Sequence, residues 1–221
     1  LPKLSSGDTR VIIACAGRVP DLKWNNYLGV PKHLVPVNGV PLLHRTVEQF
    51  WDADETYIIH PPGQFNTYHV ADTIMVEADG ENEYVNSQPW WNPNGRTILL
   101  LGDVYFSATA VVRIMAEKRN QVTWFGRFGV SKVTGTRYGE IFAVSWTWVQ
   151  HPMLSKHLLR VINSPANKRP PGWKLYRSIH GGDMGTHRYF GLQTWTEIND
   201  ETDDFDFPKD YERHPAVRRG R

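Results

Sequence analysis

The sequence predicts a three-layer α/β/α fold with a mostly parallel central sheet. Short apolar runs recur along the chain, with stretches of helical periodicity between them. The runs are continuously apolar rather than alternating, as expected of strands covered on both faces. With 221 residues, 40% of them apolar, the chain is long enough for one domain with a real core. Residues 1–221 are therefore read as a single domain. From about residue 213 a basic tail, Arg213 to Arg221, is expected to be solvated and disordered.

The predicted strands are residues 11–15, 57–60, 73–77, 97–101, 122–125 and 140–145. A first helix is expected over 41–51, where Leu42, Leu43, Val47 and Phe50 form one stripe and Pro41 suits a first turn. A second is expected over 107–118, with Val111, Val112, Ile114 and Met115 apolar and Ser107 placed to cap it. A third spans 152–162 through Leu154, Leu158, Leu159 and Ile162. Two segments interrupt the rhythm. Residues 80–95 are polar with a Trp90-Trp91 pair, and 163–176 are rich in Pro, Lys and Arg and read as a loop.

Composition narrows the partners. Lys plus Arg number 25 against 23 for Asp plus Glu, which gives no charge reason to expect nucleic acid. Cys15 is the single cysteine, so no internal disulfide forms and a reducing, cytoplasmic location fits. A buried, inert thiol is the expected state of Cys15. No run approaches the ~20 apolar residues of a membrane span, and no signal peptide is visible. The nine tryptophans are expected mainly in the core or in pocket walls.

Ligands of open α/β sheets bind beyond the carboxyl ends of the strands. After the first strand comes Ala14-Cys15-Ala16-Gly17-Arg18, where small residues let the backbone approach a ligand and amides can hold phosphate. A long loop then leads to Pro31-Lys32-His33-Leu34-Val35-Pro36-Val37-Asn38-Gly39-Val40-Pro41-Leu42-Leu43. After the strand at 97–101 comes Gly102-Asp103, a strand-end carboxylate that is costly unless paired, solvated or bound to a cation. Asp103 capping the helix near Ser107 is the competing explanation. Late in the chain stands Asp203-Asp204-Phe205-Asp206-Phe207-Pro208-Lys209-Asp210-Tyr211. Residues i and i+2 of an extended strand share a face, so Asp204 and Asp206 can point at one ion. The competing explanation is a solvated acidic turn.

Together these segments resemble the sugar-phosphate and choline-phosphate nucleotidyltransferases. Their opening is Leu-Ala-Ala-Gly-x-Gly-x-Arg, followed by Pro-Lys-x-Leu-x-Pro-Val-x-Gly-x-Pro-Leu. Their late segment is Asp/Glu-Ile-Asp-Thr-Pro-Glu-Asp-Tyr. The resemblance covers about half the chain and implies a GT-A-like fold. It implies transfer of a nucleotidyl group from a nucleoside triphosphate to a phosphorylated acceptor, a sugar 1-phosphate or a choline-phosphate-like compound, with release of pyrophosphate. The implied cofactor is Mg2+, held by Asp103, Asp204 and Asp206. Ala14, Ala16, Gly17, Arg18, Lys32 and Gly102 would bind the nucleotide, with Lys32, Asp103 and Arg18 as catalytic groups. Glu140 matches a segment near the acceptor pocket, with a charged edge-strand residue as its competing role.

Hard Mg2+ prefers a few carboxylates plus phosphate oxygens and water. A phosphate monoester is already anionic near neutral pH, so alignment and charge stabilisation matter more than a general base. The chain departs from the family at Val19-Pro20, where the second glycine is missing. Proline removes an amide donor, so Arg18 or Lys23 is expected to supply charge there instead. Two other readings stay open: a GT-A-type glycosyltransferase using a nucleotide sugar, and a degenerate, non-catalytic nucleotide-binding module.

Overall fold

Thr9, Val11, Ile12 and Ile13 crowd the backbone with β-branched side chains, which favours an extended conformation. They lie in the first strand of the computed structural model, which describes residues 8–16, 24, 27–80, 82–164, 171–185 and 192–220. Its strands are β1 (Thr9–Ala14), β2 (Pro36–Val37), β3 (Val40–Pro41), β4 (Glu55–His60), β5 (Ile74–Glu77), β6 (Arg96–Leu101), β7 (Val104–Tyr105), β8 (Thr123–Arg127), β9 (Glu140–Thr147), β10 (Trp195–Glu197) and β11 (Asp203–Asp204). The α-helices are α1 (Leu42–Gln49), α2 (Phe65–Tyr68), α3 (Glu83–Ser87), α4 (Ala108–Ala116), α5 (His151–Ile162), α6 (Pro171–Ile179), α7 (Pro208–Arg213) and α8 (Pro215–Arg219).

Among the described residues, seven strands make the central sheet in the order β10-β8-β9-β6-β1-β4-β5. β4, β1 and β6 are adjacent and parallel, as expected of the runs at 57–60, 11–15 and 97–101. β9 runs antiparallel to both its neighbours, β6 and β8. That reversal carries the start of β9, at Glu140, to the same end of the sheet as the carboxyl ends of β1 and β6.

Alternation along each strand feeds two cores. Val11, Ile13, Ile58, Ile98 and Leu100 pack with Leu43, Phe50, Ala110 and Ile114 on the face of α1 and α4. Ile12, Ile59 and Leu99 pack with Tyr84, Leu154, Leu158 and Tyr176 on the face of α3, α5 and α6. Helices thus cover both faces, which completes the three-layer arrangement. Ser107 caps α4, its Oγ accepting from the Ala110 amide at 3.0 Å. Val112, expected on the buried stripe, is instead exposed.

Local structure departs from expectation in three places. Within the polar 80–95 segment, Asn82 caps the short helix α3 by accepting from the Tyr84 and Val85 amides. Trp91 of the same segment is core, as expected of most of the tryptophans: it is buried edge-on against Trp146, and its Nε1 donates to Ser87 Oγ at 3.0 Å. The 163–176 stretch, read as a loop, holds the start of α6, whose Trp173 and Tyr176 pack against Trp195. Part of the basic tail also folds, because Ala216 and Val217 of α8 are buried. They join Trp24, Val35, Val37, Leu42, Phe205 and Tyr211 in a third, smaller core. No described helix is long and apolar enough to cross a membrane.

Candidate active site

The candidate site forms at the carboxyl ends of β1 and β6. The Gly102 amide donates to Ala14 O at 3.0 Å, locking the two strand ends together. A Cβ at Gly102 would stand 2.5 Å from Cys15 Sγ and 2.7 Å from Ala14 O, so only glycine fits that approach. Asp103 follows, half-buried, and its carboxylate is 2.5 Å from Lys32 Nζ, 71 positions away in sequence. Burial raises the Asp103 pKa, but Lys32 and then His33 outweigh it, and the carboxyl sits below its ordinary value. Asp103 is thus an ionised strand-end carboxylate paired with the expected lysine, while Ser107 does the capping of α4.

Lys32 reaches this position because the segment after it is tied down. Asn38 and Gly39 both take positive φ, and their tight turn joins β2 to β3. Val35 and Val37 then bury in the third core, and Tyr211 Oη donates to Pro36 O at 2.6 Å. Tyr211 belongs to α7, so one packing event places both Lys32 and the late acidic segment. β11 pairs antiparallel with β7, which sets Asp204 opposite Val104, and the Phe205 amide donates to Asp103 O at 3.0 Å.

Three further carboxylates gather beside Asp103. Glu140, at the start of β9, is pushed up to about 8 by burial and then by Asp206, with Arg127 only partly offsetting them. Asp204 is raised well above the usual carboxylate range by burial, then by Glu140, Asp206 and Asp103. The expected residues Asp103, Glu140, Asp204 and Asp206 therefore lie within electrostatic reach of one another. Among the described residues, no three His, Cys, Asp or Glu side chains form a metal-holding group by themselves. Mg2+ ordinarily takes one or two carboxylates and completes its shell with substrate phosphates and water. A set of hard oxygen donors that repel one another when ionised fits such an ion.

Ala14 and Ala16 border the same strand end, Ala14 buried and Ala16 half-buried. Gly17, Arg18, the Val19-Pro20 departure and Lys23 lie outside the described residues. Cys15 is fully buried, and burial followed by Asp103 raises its thiol far above the ordinary range, in keeping with an inert role.

Sequence reasoning missed four residues. His33 is buried beside Lys32, with Nδ1 3.2 Å from Tyr68 Oη. Glu83, at the start of α3, is pushed up to about 7 by burial, with Asp103 adding to it and Lys32 opposing. Asp203 and Arg127 form a buried ion pair at 2.9 Å. Only the adjacency of His33 to Lys32 and of Asp203 to Asp204 was visible in the sequence. A pocket of about 540 Å³ opens at the opposite end of the sheet, lined by Arg96, Met115, Arg119, Ser145 and Trp148 among others, away from these carboxylates.

Solved structures share this arrangement of strands and helices. One is the CTP:phosphocholine cytidylyltransferase of Streptococcus pneumoniae, at 15% identity, TM-score 0.58, covering 93% of this chain and 96% of that one. The chain shares the fold of that enzyme. The inositol-1-phosphate CTP transferase of T. maritima matches at 13% identity and TM-score 0.58, covering 96% of each chain. A Bacillus anthracis protein assigned as a glucose-1-phosphate thymidylyltransferase matches at 14% identity and TM-score 0.60, covering 96% of this chain and 95% of that one. No protein-family model and no curated protein sequence matches the chain.

Proposed function

We propose that the chain, acting as one domain, is a Mg2+-dependent nucleotidyltransferase. It moves a nucleotidyl group from a nucleoside triphosphate to a phosphorylated acceptor, a sugar 1-phosphate or a choline-phosphate-like compound. The observation that carries this reading is the Lys32–Asp103 pair at the joined ends of β1 and β6, set beside Glu140, Asp204 and Asp206. The names of the structures sharing the fold support the same reaction class.

In the proposed reaction an acceptor phosphate oxygen attacks the α-phosphorus, a new P–O bond forms, and the bond to the β-phosphate oxygen breaks to release pyrophosphate. Mg2+, when bound by Asp103 with Asp204 or Asp206, supplies positive charge to the phosphates. Lys32 exchanges its contact with Asp103 for the triphosphate and neutralises it. Ala14 and Ala16 leave room for the backbone to approach the nucleotide. Glu140 lies on the acceptor side, where its carboxyl accepts from or donates to acceptor hydroxyls according to pH.

The test is pyrophosphate release from CTP, UTP or dTTP with phosphocholine, glucose 1-phosphate or inositol 1-phosphate, in Mg2+ and in EDTA. Transfer is expected for at least one pair, in Mg2+ only. Asp103→Asn should stay folded by circular dichroism and lose about a hundredfold or more in turnover. Undiminished turnover in Asp103→Asn would remove that residue from the site, and turnover in EDTA would remove the metal.

A further inference from the structure

Asp203 is fully buried, yet none of the matched motifs uses it. Its Oδ1 accepts from Arg127 Nη2 at 2.9 Å. Its Oδ2 accepts from Ser131 Oγ at 2.5 Å and from Thr134 Oγ1 at 2.6 Å. Arg127 in turn donates through Nη1 to Gly129 O and, at 2.7 Å, to Tyr138 O. Ser131 Oγ accepts from the Val133 and Thr134 amides, and the Ser131 amide donates to Thr136 O. One carboxylate and one guanidinium therefore grip both ends and the middle of residues 128–139, the connection from β8 to β9.

A surface connection of this length ordinarily has low local stability, because few buried contacts hold it. Here its base is buried and hydrogen-bonded, while Val130, Lys132, Arg137 and Tyr138 are exposed. The two anchors also border the proposed site. Arg127 lies opposite Glu140 in the β8–β9 ladder, and Asp203 immediately precedes Asp204 in β11. A displacement of the connection would thus be felt first at Glu140, while Asp204 stays held by the pairing of β11 with β7.

We infer that Asp203 is a positioning residue: through Arg127, Ser131 and Thr134 it fixes the 128–139 connection relative to Asp204 and Glu140, so that the connection forms the acceptor side of the site. The inference rests on the nucleotidyltransferase reading. Residues that would meet the nucleotide, Ala14, Ala16 and Lys32, belong to other segments and do not depend on this clamp.

Removing the Asp203 charge would leave Arg127 buried without its counter-ion and can abolish folding. The test therefore uses the Ser131→Ala, Thr134→Val double variant, which keeps the ion pair and deletes both hydroxyls, with Thr134→Ser as the conservative control. Steady-state transfer is measured with the best pair from CTP, UTP or dTTP and phosphocholine, glucose 1-phosphate or inositol 1-phosphate. The acceptor KM should rise about tenfold in the double variant, a change of the size expected for lost hydrogen bonds to a charged group. The nucleotide KM should stay within about twofold, and Thr134→Ser should behave as wild type. An unchanged acceptor KM, or equal rises in both KM values, overturns the inference. Absence of transfer by the wild-type protein overturns the nucleotidyltransferase reading instead. In that event hydrogen exchange decides the clamp: faster exchange at 129–138 with the sheet unchanged supports it, and unchanged exchange there overturns it.

Discussion

The Lys32–Asp103 pair joins the two residues on which the proposed chemistry depends most. Both side chains are below a fifth exposed, so neither is strongly screened by solvent. Without substrate they satisfy each other, and Asp103 stays ionised at neutral pH because Lys32 and His33 outweigh the effect of burial. Under the proposed function, a triphosphate would offer the lysine a better-charged partner and release the carboxylate toward a cation. Lys32→Ala should therefore weaken triphosphate binding by about tenfold or more, the scale of a lost charge-assisted hydrogen bond. Binding of the matching nucleoside should change by less than about twofold, since only the phosphates need the charge. Isothermal titration calorimetry separates the two, and equal weakening would show Lys32 to be structural.

The strand ends act as elements because Gly102 lets them touch. Its absent Cβ leaves β6 free to hydrogen-bond across to Ala14 and brings Asp103 out at the end of β1. Gly102→Ala forces a methyl group against Cys15 Sγ and a backbone carbonyl in a packed interior. A loss of about 1–3 kcal/mol follows from overpacking of this kind, or roughly 2–12 °C in melting temperature for a chain of this size. Adding Cys15→Ala should recover only part of the loss, because the Ala14 carbonyl, 2.7 Å away, cannot retreat without breaking the strand pairing. Calorimetric melting of the single and double variants checks this. Full recovery would place the whole strain on the thiol.

At the scale of the whole molecule, the third core decides where the acidic segment goes. Phe205, Tyr211, Ala216 and Val217 bury against Val35, Val37 and Leu42, so the end of the chain closes over the segment that carries Lys32. Closure crowds the carboxylates at an energetic cost that depends on pH. Glu140 is pushed from 4.5 up to about 8, by burial first and then by Asp206, and Asp204 moves in the same direction. A carboxyl with a raised folded-state pKa keeps a proton that the unfolded chain has already lost. Its effect is to lower stability as pH rises from about 4.5 toward about 8. Asp103, with its lowered pKa, works oppositely: its contribution is present above its unfolded pKa and is lost in acid. Through Glu140 and Asp204 the metal-free protein loses stability between pH 6 and pH 8, against a gain from His151, His157, His180 and His214, whose values burial lowers. Glu140→Gln should lessen that loss, and Mg2+ should raise the melting temperature more near pH 8 than near pH 6. A loss that Glu140→Gln leaves unchanged would assign the pH dependence to other groups.

Local pattern along the chain accounts for part of this architecture. Apolar continuity identifies β1, β4, β6, β8 and β9, since a strand covered on both faces cannot alternate, and it also marks the edge strand β5, of which only Val76 is buried. Helical periodicity with a capping serine identified α4. The strand-end Gly102-Asp103 and the Lys32 segment were legible as ligand-facing because of where strands end. Tertiary structure alone decided the rest. The 163–176 segment has loop composition, yet α6 begins within it because Trp173 and Tyr176 bury against Trp195, and helix stability in proteins comes mainly from packing. The charged tail reads as solvated, yet α8 folds because Ala216 and Val217 find an apolar surface supplied by residues far away in sequence. Asp203 looks like one more acid in an acidic run, and only its meeting with Arg127, 76 positions away, distinguishes it from Asp204. Periodicity records which face of an element is covered. Which charges meet inside is set by how the chain crosses itself, because a buried carboxylate settles wherever the fold supplies a cation and hydroxyls to satisfy it.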